Sequence, residues 1–167
     1  LMSKINSGGF GVVWKATHRD KTVAIKLIRM DKFEGKEDDE GMGLKILKMV
    51  VEEASIMELM VHERIVRFIM FETESLGIVL EYLPLGSLYD YIGNSQGVML
   101  WTDRHQMMLD ICEGMEFLHS NVNVDGSTKQ VLFHQDLKSG NVLLCMEGSP
   151  PILRGKISDF GLSCNSS

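Results

Sequence analysis

A run of polar residue types, His134-Gln-Asp-Leu-Lys-Ser-Gly-Asn141, lies between two short apolar runs. The flanking runs, Val131–Phe133 and Asn141–Cys145, have the composition of strands. A loop that only reversed the chain would not need a carboxylate, an ammonium group and an amide at these offsets. The segment therefore predicts a reactive loop held in place by the strands on either side of it.

The residue types of this loop suit the transfer of a charged group. Asp136 could accept a proton from an attacking hydroxyl, and Lys138 could neutralise charge on a transferred phosphoryl group. Asn141 could supply an oxygen to a metal ion. Asp159-Phe-Gly161 follows, and its carboxylate is a natural hard-oxygen ligand for Mg²⁺. We expect Asn141 and Asp159 to form the metal site and Asp136 to act as the base.

The N-terminal part of the chain combines strands with a glycine-rich turn. The runs Phe10–Ala16 and Lys21–Ile28 are rich in β-branched residues, and the polar turn Thr17–Asp20 separates them. Glycine lets backbone N–H groups approach a phosphate closely. The turn Asn6-Ser-Gly-Gly-Phe-Gly-Val-Val13 is therefore a candidate phosphate-binding loop.

A lysine, Lys26, lies near the end of the second of these strands. A point charge on a flexible stem that follows a glycine-rich turn is suited to holding nucleotide phosphates. A helix is expected between Leu44 and Met60, and it offers an acidic partner. The apolar positions with helical spacing are Leu44, Leu47, Val51, Ala54 and Met57. Glu53 shares the inward face of Met57 one turn later, whereas its rival Glu52 is rotated by about 100°. We expect Glu53 to pair with Lys26.

The remaining segments predict an α+β fold that begins as a sheet and continues into helices. Ile65–Phe71 and Gly77–Tyr82 have strand composition, and Pro84 and Gly86 then break the chain. Polar loops are expected at Asp31–Gly43, Asn121–Gln130 and Glu147–Gly155.

A second helix is expected between Thr102, as its N-cap, and Ser120. Its apolar spacing predicts one buried face, formed by Met108, Ile111, Met115 and Leu118.

Composition narrows the class of protein. With 44% apolar residues, 24% charged residues and a net charge of -6, a packed domain is expected, and nucleic acid is not expected as a partner. No apolar run has the length of a membrane span. Cys112, Cys145 and Cys164 are scattered and odd in number, so a reducing, cytoplasmic setting is expected.

These motifs, taken in order, resemble the eukaryotic protein kinase domain over essentially the whole chain. The resemblance implies a protein-kinase-like α+β fold, with a β-rich N-lobe and hinge over about residues 1–83. The start of a helical C-lobe would follow over about residues 84–167. ATP and Mg²⁺ are the implied cofactors, and a protein Ser or Thr hydroxyl is the implied acceptor. The residues implied to be catalytic are Asp136, Lys138, Lys26 and Glu53.

The resemblance also implies a nucleotide site. Leu80 would gate the back of the adenine pocket, Glu81-Tyr-Leu83 would form the hinge, and Leu143 would cover one side of the adenine. The residues implied to contact the nucleotide are Asn6, Gly8, Gly9, Gly11, Val13, Ala24, Lys26, Leu80, Glu81, Leu83 and Leu143.

Within the family, the chain is similar to the tyrosine-kinase-like group of serine/threonine kinases. Leu-Pro-Leu-Gly-Ser-Leu88 after the hinge and the catalytic loop carry this likeness, and Lys138 is the Ser/Thr marker. The stretch from Arg104 to Met115, with the Glu-Phe-Leu-His119 that follows, is similar to Roco-type kinases.

Three departures from the family pattern qualify these expectations. Asn6 replaces a loop glycine, and because Asn tolerates positive φ we expect a weakened loop rather than a lost one. Gln135 replaces the Arg that usually contacts a phosphorylated activation loop, which also leaves open a pseudokinase or nucleotide-binding regulatory module. The third departure is the end of the sequence at Ser167, before the remaining family segments. We expect an enzyme with further domains, and no protein phosphorylation by these 167 residues alone.

Overall fold

The computed structural model describes residues 2–7, 11–28, 39–94, 99–121, 123, 126 and 128–165. The chain forms two compact units. The first contains Leu1–Leu59 and Arg67–Tyr82, and the second contains Met60–Val66 and Leu83–Ser167. Within the described part of the chain, no helix combines the length and apolar character of a membrane span.

The first unit is built on an antiparallel sheet of five strands in the order β1-β2-β3-β5-β4. The turn between β2 and β3 is shorter than predicted, because Thr17 and His18 pair with β3. Arg19 and Asp20 complete it with φ of 46° and 61°, as a two-residue hairpin loop requires. The strands are β1 Ser3–Ser7, β2 Gly11–His18, β3 Lys21–Ile28, β4 Phe68–Glu72 and β5 Gly77–Glu81.

The two faces of this sheet differ in character. One face carries an apolar cluster of Ala16, Val23 and Val79, with Ile25 and Met70 packed against it. Because side chains alternate along a strand, the intervening positions form the opposite face. Cross-strand neighbours on that face are Val13, Lys26 and Ile78 in one row, and Lys15, Ala24 and Leu80 in the next.

Helix α1, Asp39–Leu59, packs against β4 and β5. It begins inside the stretch predicted as a loop, because acidic residue types are favoured at a helix start and glycine weakens a helix by only about 1 kcal/mol. Among its described side chains, the buried ones are Val50, Glu53, Ala54 and Met57. The predicted apolar stripe is wrong at Leu47 and Val51, which are exposed. The buried face is therefore rotated, and it includes a carboxylate.

The second unit combines helices with two short antiparallel strand pairs, β6 with β9 and β7 with β8. Strand β8 packs against α3. The predicted loop Glu147–Gly155 is wrong beyond residue 151, because β8 begins at Ile152 and pairs with β7. The elements are α2 Leu88–Asn94, α3 Trp101–His119, β6 Leu132–Phe133, a 3₁₀ turn Ser139–Asn141, β7 Val142–Glu147, β8 Ile152–Ile157 and β9 Cys164–Asn165.

The predicted N-cap of α3 is wrong, and its predicted buried face is wrong at Met108. Leu100, not Thr102, is the N-cap residue, and it makes no side-chain capping bond. The buried residues of α3 are Met107, Asp110, Gly114, Phe117 and Leu118. Of the predicted face, Leu118 is buried as expected and Ile111 and Met115 are half-buried, but Met108 is 51% exposed. The helix is rotated because a buried acid, Asp110, occupies a position that apolar spacing alone does not reveal.

Helix α2 was not predicted, although its start carries a readable signal. Ser87 Oγ accepts a hydrogen bond from the Asp90 backbone N–H at 3.1 Å and donates one to Asp90 Oδ2 at 2.6 Å. A serine followed three residues later by an acid is a helix-start pattern. This pattern was overlooked because Pro84 and Gly86 directly before it predicted a break in the chain.

The end of α3 is fastened by Lys129, which lies in the predicted loop Asn121–Gln130. Lys129 Nζ donates to the carbonyl oxygens of Leu118 at 3.2 Å and Ser120 at 2.6 Å, and it lies 4.7 Å from the centroid of the Phe117 ring. A cation at a helix C-terminus satisfies carbonyls that lack intrahelical partners. Burial lowers the pKa of Lys129.

Candidate active site

The first unit contains a buried ion pair between Lys26 on β3 and Glu53 on α1. Lys26 Nζ lies 2.6 Å from Glu53 Oε1, and their side chains are 10% and 9% exposed. Glu52 is 61% exposed and lies 3.8 Å from Lys48 Nζ. The predicted pairing of Lys26 with Glu53 rather than Glu52 is confirmed. The ammonium group is thus fixed on the sheet face that also carries Val13 and Ala24.

The glycine-rich turn is described at its two ends. A Cβ at Gly11 would lie 2.5 Å from the Leu27 carbonyl oxygen, so only glycine allows β2 to approach β3 here. Asn6 in β1 is paired with Val13 in β2, and Asn6 Oδ1 accepts a hydrogen bond from the Ser7 N–H at 2.7 Å. Asn6 has no positive φ, so the expected reason for tolerating Asn here is wrong.

The middle of this turn includes Gly8 and Gly9. Both predicted positions lie outside the described residues.

The predicted hinge residues have structural partners of their own. Leu80 is buried between Ala24 and Phe68. Glu81 Oε1 accepts a hydrogen bond from the Arg67 N–H at 2.8 Å, and the Glu81 N–H donates to the Arg67 carbonyl at 3.0 Å. The Glu81 side chain therefore fastens the start of β4 to β5. In the second unit, Leu83 is buried and Leu143 is half-buried on β7.

In the second unit, two predicted site residues donate hydrogen bonds to the carboxylate of a third, Asp136. Asp136 Oδ2 accepts hydrogen bonds from Lys138 Nζ at 2.6 Å and from Asn141 Nδ2 at 3.0 Å. The bond from Lys138, followed by that from Asn141, lowers the pKa of Asp136 below its ordinary value. The carboxylate is therefore ionised at neutral pH, as a proton acceptor must be.

The backbone of this loop is held by the buried His134. Its Nδ1 accepts a hydrogen bond from the Asp136 N–H at 3.3 Å, and its Nε2 lies 3.0 Å from the Ser158 carbonyl oxygen. Since Nδ1 accepts, Nε2 carries the proton and donates. The ring also contacts Phe160, with 5.1 Å between centroids. One neutral tautomer of His134 thus links the loop to the segment that contains Asp159.

Asn141 and Asp159 offer oxygen ligands that fit Mg²⁺. Asn141 Nδ2 donates to the Asp136 carbonyl at 2.9 Å as well as to its carboxylate, which leaves Oδ1 as the group able to coordinate a cation. The Ser158 N–H and hydroxyl both donate to the Asn141 carbonyl, at 2.9 and 3.0 Å. These bonds bring together the two segments that carry the candidate ligands.

Asp159 follows with a φ of 68°, a conformation that costs energy in a non-glycine residue. Among the described residues, no three His, Cys, Asp or Glu side chains cluster as a metal site. A set of two oxygen ligands is nevertheless suitable, because Mg²⁺ commonly retains water and binds substrate phosphates as further ligands.

The sequence comparison now assigns the chain to a family. The sequence model described as "protein kinase domain" matches residues 1–167. This chain belongs to the protein kinase domain family. The fold class predicted from the sequence is confirmed.

Relatives of this kinase domain include several serine/threonine kinases. Serine/threonine-protein kinase STY46 of Arabidopsis thaliana is 32% identical over 162 residues, which cover 96% of this chain and 24% of the relative. The probable serine/threonine-protein kinases pats1 and roco5 of Dictyostelium discoideum are 33% and 29% identical over 161 residues. These alignments cover 95% and 96% of this chain and 5% of each relative. The chain thus spans less than a quarter of each relative, and the predicted resemblance is confirmed.

Sequence reasoning missed a buried ionic cluster that supports the strand leading to Asp159. Asp110 on α3 accepts hydrogen bonds from Arg154 Nε at 3.0 Å and from the Gly155 N–H at 2.8 Å. Arg64 lies beside it, with Nη1 3.9 Å from Asp110 Oδ2. Arg154 and Gly155 belong to β8, which leads directly to Asp159. Apolar periodicity carries no signal for such a cluster.

Proposed function

We propose that this chain is the catalytic part of a protein serine/threonine kinase that transfers the γ-phosphoryl group of ATP, with Mg²⁺, to protein hydroxyls in signalling. The observation that carries the proposal is the set of hydrogen bonds that joins Asp136, Lys138 and Asn141. A carboxylate, an ammonium group and an amide meet there, and these groups suit the roles of proton acceptor, stabilising cation and Mg²⁺ ligand in phosphoryl transfer.

Each residue has a distinct role in this proposal. Lys26, fixed by Glu53, binds nucleotide phosphates. The residues that would contact the adenine ring are Val13, Ala24, Leu80, Glu81, Leu83 and Leu143. Asp136 orients the acceptor hydroxyl and takes its proton. Asn141 Oδ1 and the Asp159 carboxylate hold Mg²⁺, which when bound neutralises charge on the phosphates. Lys138 remains beside Asp136 and stabilises the charge of the transferred group.

Serine and threonine are the proposed acceptors. Lys138 stands where the family marks this class, and relatives that share about 30% identity are named serine/threonine kinases. The test is to incubate the full-length protein with ATP·Mg²⁺ and matched peptides that offer Ser, Thr or Tyr. Phosphate on Ser or Thr is the expected result. Phosphate confined to Tyr would contradict the acceptor class.

The runner-up is a pseudokinase that binds a nucleotide without transferring phosphate. Asn6 and the uncharged Gln135 favour it, whereas the joint presence of Lys26, Asp136 and Asn141 favours the enzyme. Nucleotide binding measured by calorimetry, without any phosphopeptide product, would establish the runner-up in place of the kinase.

Substitutions in the buried ion pair should reduce activity, whereas substitutions in a nearby exposed ion pair should not. We expect Lys26→Met and Glu53→Gln each to lower kcat/KM for ATP by roughly 10²–10³-fold, because a positioned charge on the phosphates is lost. The matched controls are Lys48→Met and Glu52→Gln, which remove an exposed pair on the same helix and should leave kcat/KM unchanged. Thermal unfolding of each variant identifies any loss that arises from misfolding.

A Glu52→Gln variant that is as defective as Glu53→Gln would contradict this assignment.

Activity should depend little on phosphorylation after Gly161. The amide of Gln135 cannot form the strong ionic contact with a phosphate that an arginine forms. We expect phosphatase treatment of the full-length protein to leave kcat unchanged, with dephosphorylation checked by mass spectrometry. Gln135→Arg is the matched variant, and it should gain sensitivity to the phosphatase. A large loss of wild-type activity traced to that segment would count against the prediction.

A further inference from the structure

The side chain of Gln135 is directed to the segment that follows Asp159-Phe-Gly161. Gln135 Nε2 donates a hydrogen bond to Cys164 Sγ at 3.0 Å. Gln135 has a φ of 61°, which is unfavourable for a residue with a side chain and persists where the surroundings determine it. Its backbone is thus held in a conformation that places an amide donor beside a thiol.

Backbone contacts fasten the same two segments together. Leu132 pairs with Asn165, and Phe133 pairs with Cys164. Ser163 Oγ donates to the His134 carbonyl at 3.4 Å. The contact between Gln135 and Cys164 extends this short ladder to the residue directly before Asp136. A two-residue strand pair is marginal by itself, so each additional contact contributes to its order.

The chemistry of this contact differs from that of an ionic one. A neutral amide N–H and a sulfur atom attract each other weakly, without a formal charge on either group. The contact therefore needs no phosphate.

We propose that Gln135 and Cys164 form a charge-free latch that holds residues 163–165 against the catalytic loop and thereby positions Asp136. As an account of catalytic positioning the latch rests on the proposed kinase function, whereas its structural part does not. Gln135 is a positioning residue, since it acts through its neighbour Asp136.

The structural part is tested by hydrogen–deuterium exchange of the full-length protein, read by mass spectrometry over residues 161–165. We expect Gln135→Met and Cys164→Ala to exchange roughly two- to tenfold faster than the wild type, the range that corresponds to one net hydrogen bond. Cys164→Ser retains an acceptor and should keep wild-type protection. Exchange in β7 and β8 is the internal control and should stay constant.

The catalytic part is tested with the same variants. Gln135→Met and Cys164→Ala should each lower kcat roughly two- to tenfold, with KM for ATP unchanged, and the double variant should be no worse than either single variant because both remove one contact. Additive losses, or exchange equal to the wild type in both variants, would overturn the latch. A wild-type protein that lacks kinase activity but shows the expected exchange supports the latch and refutes the proposed function.

Discussion

Replacement of Asp136 by asparagine should lower kcat for phosphoryl transfer by roughly 10²–10⁴-fold, the usual contribution of a positioned proton acceptor. Asparagine retains the size of the side chain but cannot take a proton. It also loses the charge that holds Lys138 Nζ at 2.6 Å. Steady-state kinetics of the full-length protein, with the Kd for ATP measured separately, will show whether the loss lies in turnover.

The matched control is Glu116→Gln, which neutralises an exposed carboxylate on α3 and should leave kcat unchanged. Wild-type turnover by Asp136→Asn would remove Asp136 from the mechanism.

The pKa of Asp136 provides a second, independent measurement. Hydrogen bonds from Lys138 and Asn141 lower this pKa below the ordinary value of 3.8. A lowered pKa keeps the carboxylate ionised as the pH falls, until the pH reaches that pKa. Lys138→Met should therefore raise the pKa towards its ordinary value, as followed by ¹³C NMR titration of the labelled carboxyl group. An unchanged midpoint would show that the contact with Lys138 does not act on the base.

The largest effect on stability should come from Asp110, whose side chain is completely buried. Asp110→Ala removes the buried carboxylate that Arg64 and Arg154 share. It leaves them only the more exposed carboxylates of Glu63, Glu113 and Glu147 within 4 Å. The loss of one member of a buried ion pair typically lowers the free energy of unfolding by about 3–5 kcal/mol. Arg64 is especially affected, since its Nε and Nη1 atoms are buried with no hydrogen-bond partner among the described residues. Urea unfolding at neutral pH measures the change.

Two further variants make this test specific. Glu116→Ala removes an exposed acid from the same helix and should alter the free energy of unfolding by less than about 0.5 kcal/mol. Asp110→Asn retains an oxygen for the Gly155 N–H and should be less harmful than Asp110→Ala. A loss below about 1 kcal/mol for Asp110→Ala, comparable to an exposed salt bridge, would show that the cluster does not stabilise this unit.

The contacts within the candidate site could be predicted from the sequence because its residues lie in short segments. Asp136, Lys138 and Asn141 lie within one loop, so their mutual contacts follow from local geometry. Glu53 could be distinguished from Glu52 by the direction in which a helix presents Met57. In both cases one periodic or local rule sufficed.

Other features depend on contacts between distant residues and could not be predicted in this way. Asp110 is buried because Arg154, far along the chain, neutralises it, and the buried face of α3 is rotated accordingly. The contact between Gln135 and Cys164 likewise requires β9 to return beside β6. No local pattern encodes either partnership, since the partner's position is known only once the chain has folded.

The contacts of Lys129 with the end of α3 determine where the chain can accept inserted residues. The Lys129 N–H donates to the Asn121 carbonyl at 2.8 Å. This bond joins the two ends of the segment 121–129 before the chain reaches His134. The entropic cost of closing a loop rises by only about 0.6 kcal/mol for each doubling of its length. Extra residues near Gly126, where an added Cβ meets no atom of the described residues within 4 Å, would therefore leave the register of the loop that contains Asp136 intact. This makes the position a natural site for grafting a reporter peptide.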